Sequence, residues 1–279
     1  MTSGEAVRVH PGAADVVELR AGGWPVVAAQ ECRDLWLGGR APMLLFAYSL
    51  LLSAMTYLAA TNQVLNFLER REALNLVLQV AVAVGSLLTL VVAADGVSGE
   101  RERGTLESLL LTPVSRRGLL VGKLLGALSV WGACYVVLVP YLLVLGRGLS
   151  MTGTAIGLGL SVGTLLALGL ATLGLLISSL CNTNRVSLAG SLFLLLALFV
   201  PSQLPMGPNP GWFFDVVLVR ANPVASSLHY LSQVLVQGHT WTQDIGYLVG
   251  PAVVAAVAIG VLLTIADRLM GLQAGVEGR

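Results

Sequence analysis

The residues able to do chemistry gather in one stretch, Asp95–Lys123 (DGVSGERERGTLESLLLTPVSRRGLLVGK). It holds nine charged side chains: Asp95, Glu100, Arg101, Glu102, Arg103, Glu107, Arg116, Arg117 and Lys123. Their chemistry is ion pairing and docking rather than bond making. The chain carries no GxSxG, no HExxH, no paired-acid constellation and no Cys/His pair. Gly118–Lys123 faintly resembles a phosphate-binding loop. Arg117 stands where the earlier glycine is needed, however, Leu124 replaces the Ser/Thr, and the stretch enters a helix rather than following a strand. Cys32, Cys134 and Cys181 are scattered without a CxxC, so neither a disulfide framework nor a metal site is expected.

Long apolar runs flank the charged stretch on both sides. A charge at the bilayer centre costs about 2.5–3.5 kcal/mol, so the stretch must face water between two spans. Within it, Glu100/Arg103 and Arg103/Glu107 have the spacing of helix-surface pairs. Leu106, Leu109 and Leu110 share one face, and Pro113 ends the helix by pushing Thr112 out of the helical region. Ser115 can cap a second helix running through Arg116, Arg117 and Lys123 into the next span. Such a leucine-faced helix either grips a partner or rests on the protein's own underside.

Composition sets the frame around it. The 279 residues are 56% hydrophobic and 11% charged, against about 25% charged in soluble domains. With a mean hydropathy of +0.82, a polytopic, all-α membrane protein is expected. The net charge of +1 gives no case for nucleic acid. Residues 1–40 are too polar for a signal peptide, and 1–22 read as a disordered tail. Residues 23–40 read as an amphipathic helix: Trp24–Pro25 opens it, Ala28, Cys32 and Leu35 share a face, and Gly38–Gly39 ends it. With Trp24, Arg33 and Trp36 it suits the membrane interface, the alternative being an ordinary exposed helix.

Residues 41–279 then carry six hydrophobic runs near the ~20 residues that a crossing needs. They fall at Pro42–Thr61, Ala73–Ala94, Leu124–Leu145, Thr154–Leu180, Val186–Leu204 and Ile245–Ala266. Pro140, Pro201 and Pro251 predict kinks or ends. The GxxxG pairs Gly122/Gly126, Gly153/Gly157 and Gly159/Gly163, with Gly169 and Gly174, point to close packing, above all on the fourth span. Placing the N-terminus inside puts twelve of the sixteen Lys and Arg residues inside and leaves Arg70, Arg71, Arg147 and Arg220 outside. Both termini and the loop 95–123 are therefore expected in the cytoplasm. The outer segment 205–244 contains an Asn222–Pro223 cap and first turn. Val224, Leu228, Leu231 and Leu235 follow at helical spacing, as a re-entrant or interfacial helix. No span carries a charge in its middle, which argues against an ion-coupled carrier. Gln79, deep in the second span, reads as helix–helix glue.

The run GERERGTLESLLLTPVSRRGLLVGKLLG resembles the loop between spans two and three of type-2 ABC transporter permeases of the exporter class. The resemblance rests on Glu100, Gly104, Thr105, Leu106, Glu107, Leu109, Leu110, Thr112, Pro113, Ser115, Arg116, Gly122 and Lys123. VAAQECRDLWLGGR and ANPVASSLHYL resemble the family's interfacial helix and its Asn-Pro segment. The resemblance implies a six-span permease in a bacterial or archaeal cell (inner) membrane, facing a second permease copy, identical or different. It also implies a coupling helix between spans two and three, docked on a cytoplasmic ATP-binding subunit. The docking residues would be Glu100, Arg101, Arg103, Gly104, Thr105, Leu106, Glu107, Leu109, Leu110, Pro113, Arg116, Arg117 and Lys123, with the interfacial helix touching the same partner. This chain would bind no cofactor, ATP and magnesium residing on the partner, and would not be catalytic by itself. Its work would be ATP-driven export of a substrate. The competing expectation is an interaction module that transmits the ATP-driven change to an external partner through 205–244 without moving a cargo.

Overall fold

Why these helices form follows from length and apolarity, and their ends from a few local signals. In the computed structural model the described residues are 23–61, 67–105, 115–200 and 220–269. Helix α1 covers Trp24–Leu37, α2 Arg40–Thr61, α3 Phe67–Asp95 and α4 Ser98–Glu102. Helices α5 (Arg116–Leu145), α6 (Thr152–Leu180), α7 (Asn184–Phe199), α8 (Pro223–Leu235) and α9 (Val249–Leu269) complete the chain. Strands are absent among the described residues.

Pro25 lies in the first turn of α1, and the helix stops where Gly38 donates back to the Asp34 carbonyl. Gly39 then takes a left-handed φ of 78°, which lets the chain turn at once into α2. Ser115 caps α5, its hydroxyl accepting from the Gly118 N–H at 3.1 Å. Asn222 caps α8 by accepting from Val224 and Ala225, with Pro223 in the first turn.

Among the described residues, five helices are long and apolar enough to cross a bilayer. They are α2, α3, α5, α6 and the length led by a 3-10 turn into α9. Of the expected fifth span, helix α7 covers 16 residues up to Phe199, which reach about 24 Å at 1.5 Å each. Residues 201–204 of that span lie outside the described residues. Pro140 sits inside α5 without ending it.

The core forms where α3, α5 and α6 meet. A Cβ at Gly159 would lie 2.7 Å from Leu78, and one at Gly163 2.4 Å from the Trp131 ring. One at Gly174 would lie 2.8 Å from the Leu90 carbonyl. Small residues therefore let the helices close on one another. Gly153 and Gly157 have open space instead, so only part of the fourth span's glycine pattern is used in packing.

Helix α8 is buried along most of its length, Leu228 and Leu231 included. Gln79 acts as glue, donating to the Leu228 carbonyl at 3.1 Å and so tying α3 to α8. The expected tail 1–22 and the outer residues 205–219 lie outside the described residues.

Candidate functional site

Helices α3, α5, α6 and α7 bond directly to the eight residues Ser98–Thr105, and α1 and α2 join them through Lys123 and Asp95. Helix α3 ends at Asp95, and Gly96 lets the chain turn tightly against Leu175 and Lys123. The N–H groups of Val97 and Ser98 then donate to the Ser178 hydroxyl of α6 at 3.1 and 2.9 Å. The Ser98 hydroxyl donates to the Ala94 carbonyl, which also receives the Ser187 hydroxyl of α7. Helix α4 is thus welded to the helices beneath it before its charges begin.

Those charges divide among different helices. Glu100 meets the Lys123 ammonium of α5 at 2.5 Å, and the same ammonium meets Glu31 of α1 at 2.6 Å. The Lys123 side chain is only 1% exposed. Arg101 donates to the Cys181 carbonyl at 2.7 Å, the Ser179 carbonyl at 3.4 Å and the Asn182 side chain at 3.2 Å. It therefore closes the carbonyl end of α6, where a cation is favoured. Glu102 accepts from the Asn184 N–H at 3.0 Å and closes the N–H end of α7. Arg103 reaches back to Asp95 at 3.5 Å, and Arg40 of α2 holds the same carboxylate oxygen at 2.6 Å.

Arg40, Lys123 and Arg103 face Glu31, Asp95 and Glu100 around a cavity of about 160 Å³ that Asp34 also lines. A Cβ at position 99 would stand 2.4 Å from Asp95 Oδ1 and force that carboxylate to shift. Asp95 Oδ1 and Glu100 Oε2 are buried without a hydrogen-bond partner. Glu100 lies beyond the apolar run of α3, and its burial pushes its carboxyl above the usual carboxylate range. The Lys123 ammonium opposes that rise and the Glu31 carboxylate adds to it.

Several expectations need correction. Glu100 and Arg103 do not pair with each other one turn apart; each turns to a distant helix. A continuous helix from Glu100 onward is broken early. Helix α4 stops at Glu102, and Gly104 adopts a left-handed φ of 71°, with Thr105 beyond it. Arg101 spends its guanidinium inside the protein. Lys123 is a buried member of α5 rather than part of an exposed flank, and Arg116 and Arg117 form that helix's first turn. Leu106, Glu107, Leu109, Leu110 and Pro113 lie outside the described residues.

The expected interfacial helix is present as α1, but its inner face is engaged. Val27 and Glu31 press on Gly122 and Gly126 of α5, and Trp36 donates its indole N–H to the Ser129 hydroxyl at 3.2 Å. Cys32 and Leu35 are half-buried on that side, while Trp24 and Arg33 are exposed. Sequence reasoning placed Asp95 in the charged stretch but not among the docking residues, and missed Glu31 and Arg40 as members of the cluster. The available signal for Arg40 and Asp95 was their place at the ends of their helices.

What the arrangement can do is mechanical. A displacement of Ser98–Thr105 pulls on α1, α2, α3, α5, α6 and α7 through bonds of 2.5–3.5 Å. A family model described as ABC-2 family transporter protein matches residues 42–266 of the chain. No curated protein matches it.

Proposed function

Because the chain belongs to the ABC-2 family of transporter proteins, we propose that it is the permease subunit of an ATP-driven exporter, powered from outside its own fold. The motor is a cytoplasmic ATP-binding subunit that carries the ATP and magnesium, and it seats on the segment following α4. Glu102, Arg103, Gly104 and Thr105 are exposed there and present the near edge of the seat. Leu106, Leu109 and Leu110 supply its apolar grip. Arg116 and Arg117 flank it, and the charge bias of the loops supports a cytoplasmic position for this end. A second permease copy completes the pathway, and both termini are cytoplasmic.

One observation carries this reading. The segment that a motor would move is bonded directly to α3, α5, α6 and α7, and through Lys123 and Asp95 to α1 and α2, so one push is shared among them. A two-state bundle biased at that point has the contiguous physical connection that coupling requires. Glu102 and Arg101 act on the facing ends of α7 and α6, so a tilt of α4 turns one helix against the other. Alternating access then needs no ionisable group at membrane depth, because the energy arrives through the loop.

The test is co-purification with an ATP-binding subunit from the same source. Leu106→Arg/Leu110→Arg should weaken complex formation by at least about tenfold, equivalent to ~1.4 kcal/mol, and abolish permease-stimulated ATP turnover. Undiminished binding and turnover in that double variant would remove the loop from the coupling role.

A further inference from the structure

A second feature stands far from the ionic cluster. Helices α2 and α5 leave a cavity of about 690 Å³ between Ser53–Tyr57 and Val136–Val144. That volume lies within the roughly 300–1,000 Å³ usual for sites that bury a small ligand. Val136, Val137, Pro140 and Val144 form its apolar wall, while Ser53, Thr56 and Tyr141 bring hydroxyls. Its rim is open, since Tyr57 and Val136 are 69% and 71% exposed. The opening faces sideways, onto the side of α2 that presents Phe46, Leu50 and Leu58. A surface of that kind on a spanning helix is covered by lipid.

The hydroxyls are not all satisfied. Tyr141 and Ser53 meet at 2.8 Å, and Ser49 lies 3.3 Å from the same phenol. Thr56 is 92% buried, being 8% exposed, and its hydroxyl has no partner. Helical threonines elsewhere in this chain do bond back, Thr89 to the Gly85 carbonyl and Thr172 to the Leu168 carbonyl. Thr56 alone of these three is left as a donor in apolar surroundings, which is costly unless something accepts from it. Pro140 adds a second opening, because it has no N–H for the Val136 carbonyl in the same wall.

Depth narrows the ligand. Thr56 stands about 24 Å along α2 from Arg40, in a hydrocarbon layer of roughly 30 Å. That is the level where the chains of the far leaflet approach their ester linkages. Among the described residues none of the lining side chains is charged, so apolar chain and hydroxyl contacts are what this wall offers. We propose that the α2–α5 cavity holds one acyl chain of a bilayer phospholipid, with the ester carbonyl accepting from the Thr56 hydroxyl. The proposal requires only that the chain spans a bilayer and is independent of the motor reading.

The experiment reconstitutes the full chain in phosphatidylcholine nanodiscs containing a small fraction of phosphatidylcholine with a diazirine on one acyl chain. After irradiation, adducts are mapped by mass spectrometry. Labelling of Ser53–Tyr57 and Val136–Val144 should exceed that of the equally exposed Leu192–Leu196 by about fivefold, the mark of a site rather than of general lipid contact. Val137→Trp fills the cavity and should remove the excess. Thr56→Val keeps the shape, carries the test if Val137→Trp does not fold, and should lower the excess by roughly threefold, as loss of one hydrogen bond does. Equal labelling of both faces would overturn the proposal. So would an excess that vanishes when a bound motor turns over ATP, which would mark the occupant as cargo. Efficient disulfide capture between two copies bearing Tyr57→Cys, without lipid adducts, would assign the face to a second chain.

Discussion

At the charged end of the bundle, six ionised side chains on α1, α2, α3, α4, α5 and the turn after α4 close on one another. At the far end, α8 is held by neutral groups. Asn222 donates to the Leu198 carbonyl at 2.7 Å, Gln79 to that of Leu228 and Tyr230 to that of Trp241, while Ser226 donates to that of Tyr247. The charged contacts described there, His239–Asp244 at 2.7 Å and the Arg220 guanidinium 5.5 Å over the Tyr247 ring, are exposed or partly exposed. The difference follows from the medium. A neutral hydrogen bond broken in an apolar environment leaves a polar group unsatisfied at about 1–3 kcal/mol, whereas a buried charge that loses its partner costs about 3–5 kcal/mol. The far end can therefore rearrange locally, while the charged end holds together or comes apart as a unit. That cooperativity is what a lever needs.

The sharpest test removes the charge at the centre of the cluster. Lys123→Met leaves Glu31 and Glu100 facing each other without a cation, and should destabilise the protein by about 3–5 kcal/mol. A large drop in the melting temperature of the purified protein, together with reduced monodisperse yield, is the expected outcome. Adding Glu31→Gln and Glu100→Gln to the same variant should restore much of the loss, because neutral side chains no longer demand a partner. A single variant as stable as the parent would mean that the ionic end is not stapled by Lys123.

The matching perturbation at the other end should be milder. Asn222→Ala deletes the cap of α8 and should cost about 1 kcal/mol. Thermal unfolding measured beside Lys123→Met tests the contrast directly. Equal losses in the two variants would show that the ends do not differ in kind.

What could be read from the sequence divides along similar lines. Ser115, Asn222–Pro223 and Gly38–Gly39 were legible because capping and termination act within four residues. Gly159 and Gly163 were legible as a packing face because their spacing places both on one side of a helix. The partners of the charges were not. Local spacing favoured Glu100 with Arg103, but Lys123 lies 23 residues from Glu100 and 92 from Glu31. Arg101 finds its carbonyls about 80 residues away. No periodicity encodes which helix ends meet, and burial turns a weak local pair into a strong distant one.

The smallest expected effect on folding decides the most about function. Arg103 is 59% exposed in its side chain and sits 3.5 Å from Asp95, which Arg40 already holds at 2.6 Å. An exposed pair of that kind contributes about 0–1 kcal/mol, so Arg103→Gln should leave thermal stability nearly unchanged. If the exposed edge of Glu102–Thr105 is part of the motor's seat, the same substitution should lower affinity for the ATP-binding subunit and make the remainder less sensitive to salt, because one screened contact is gone. Titration of binding at low and high ionic strength reads both effects. A variant that binds as the parent does at every salt concentration would confine Arg103 to its contact with Asp95. The grip would then rest on the leucines that follow it, and the ionic cluster would transmit the push without helping to receive it.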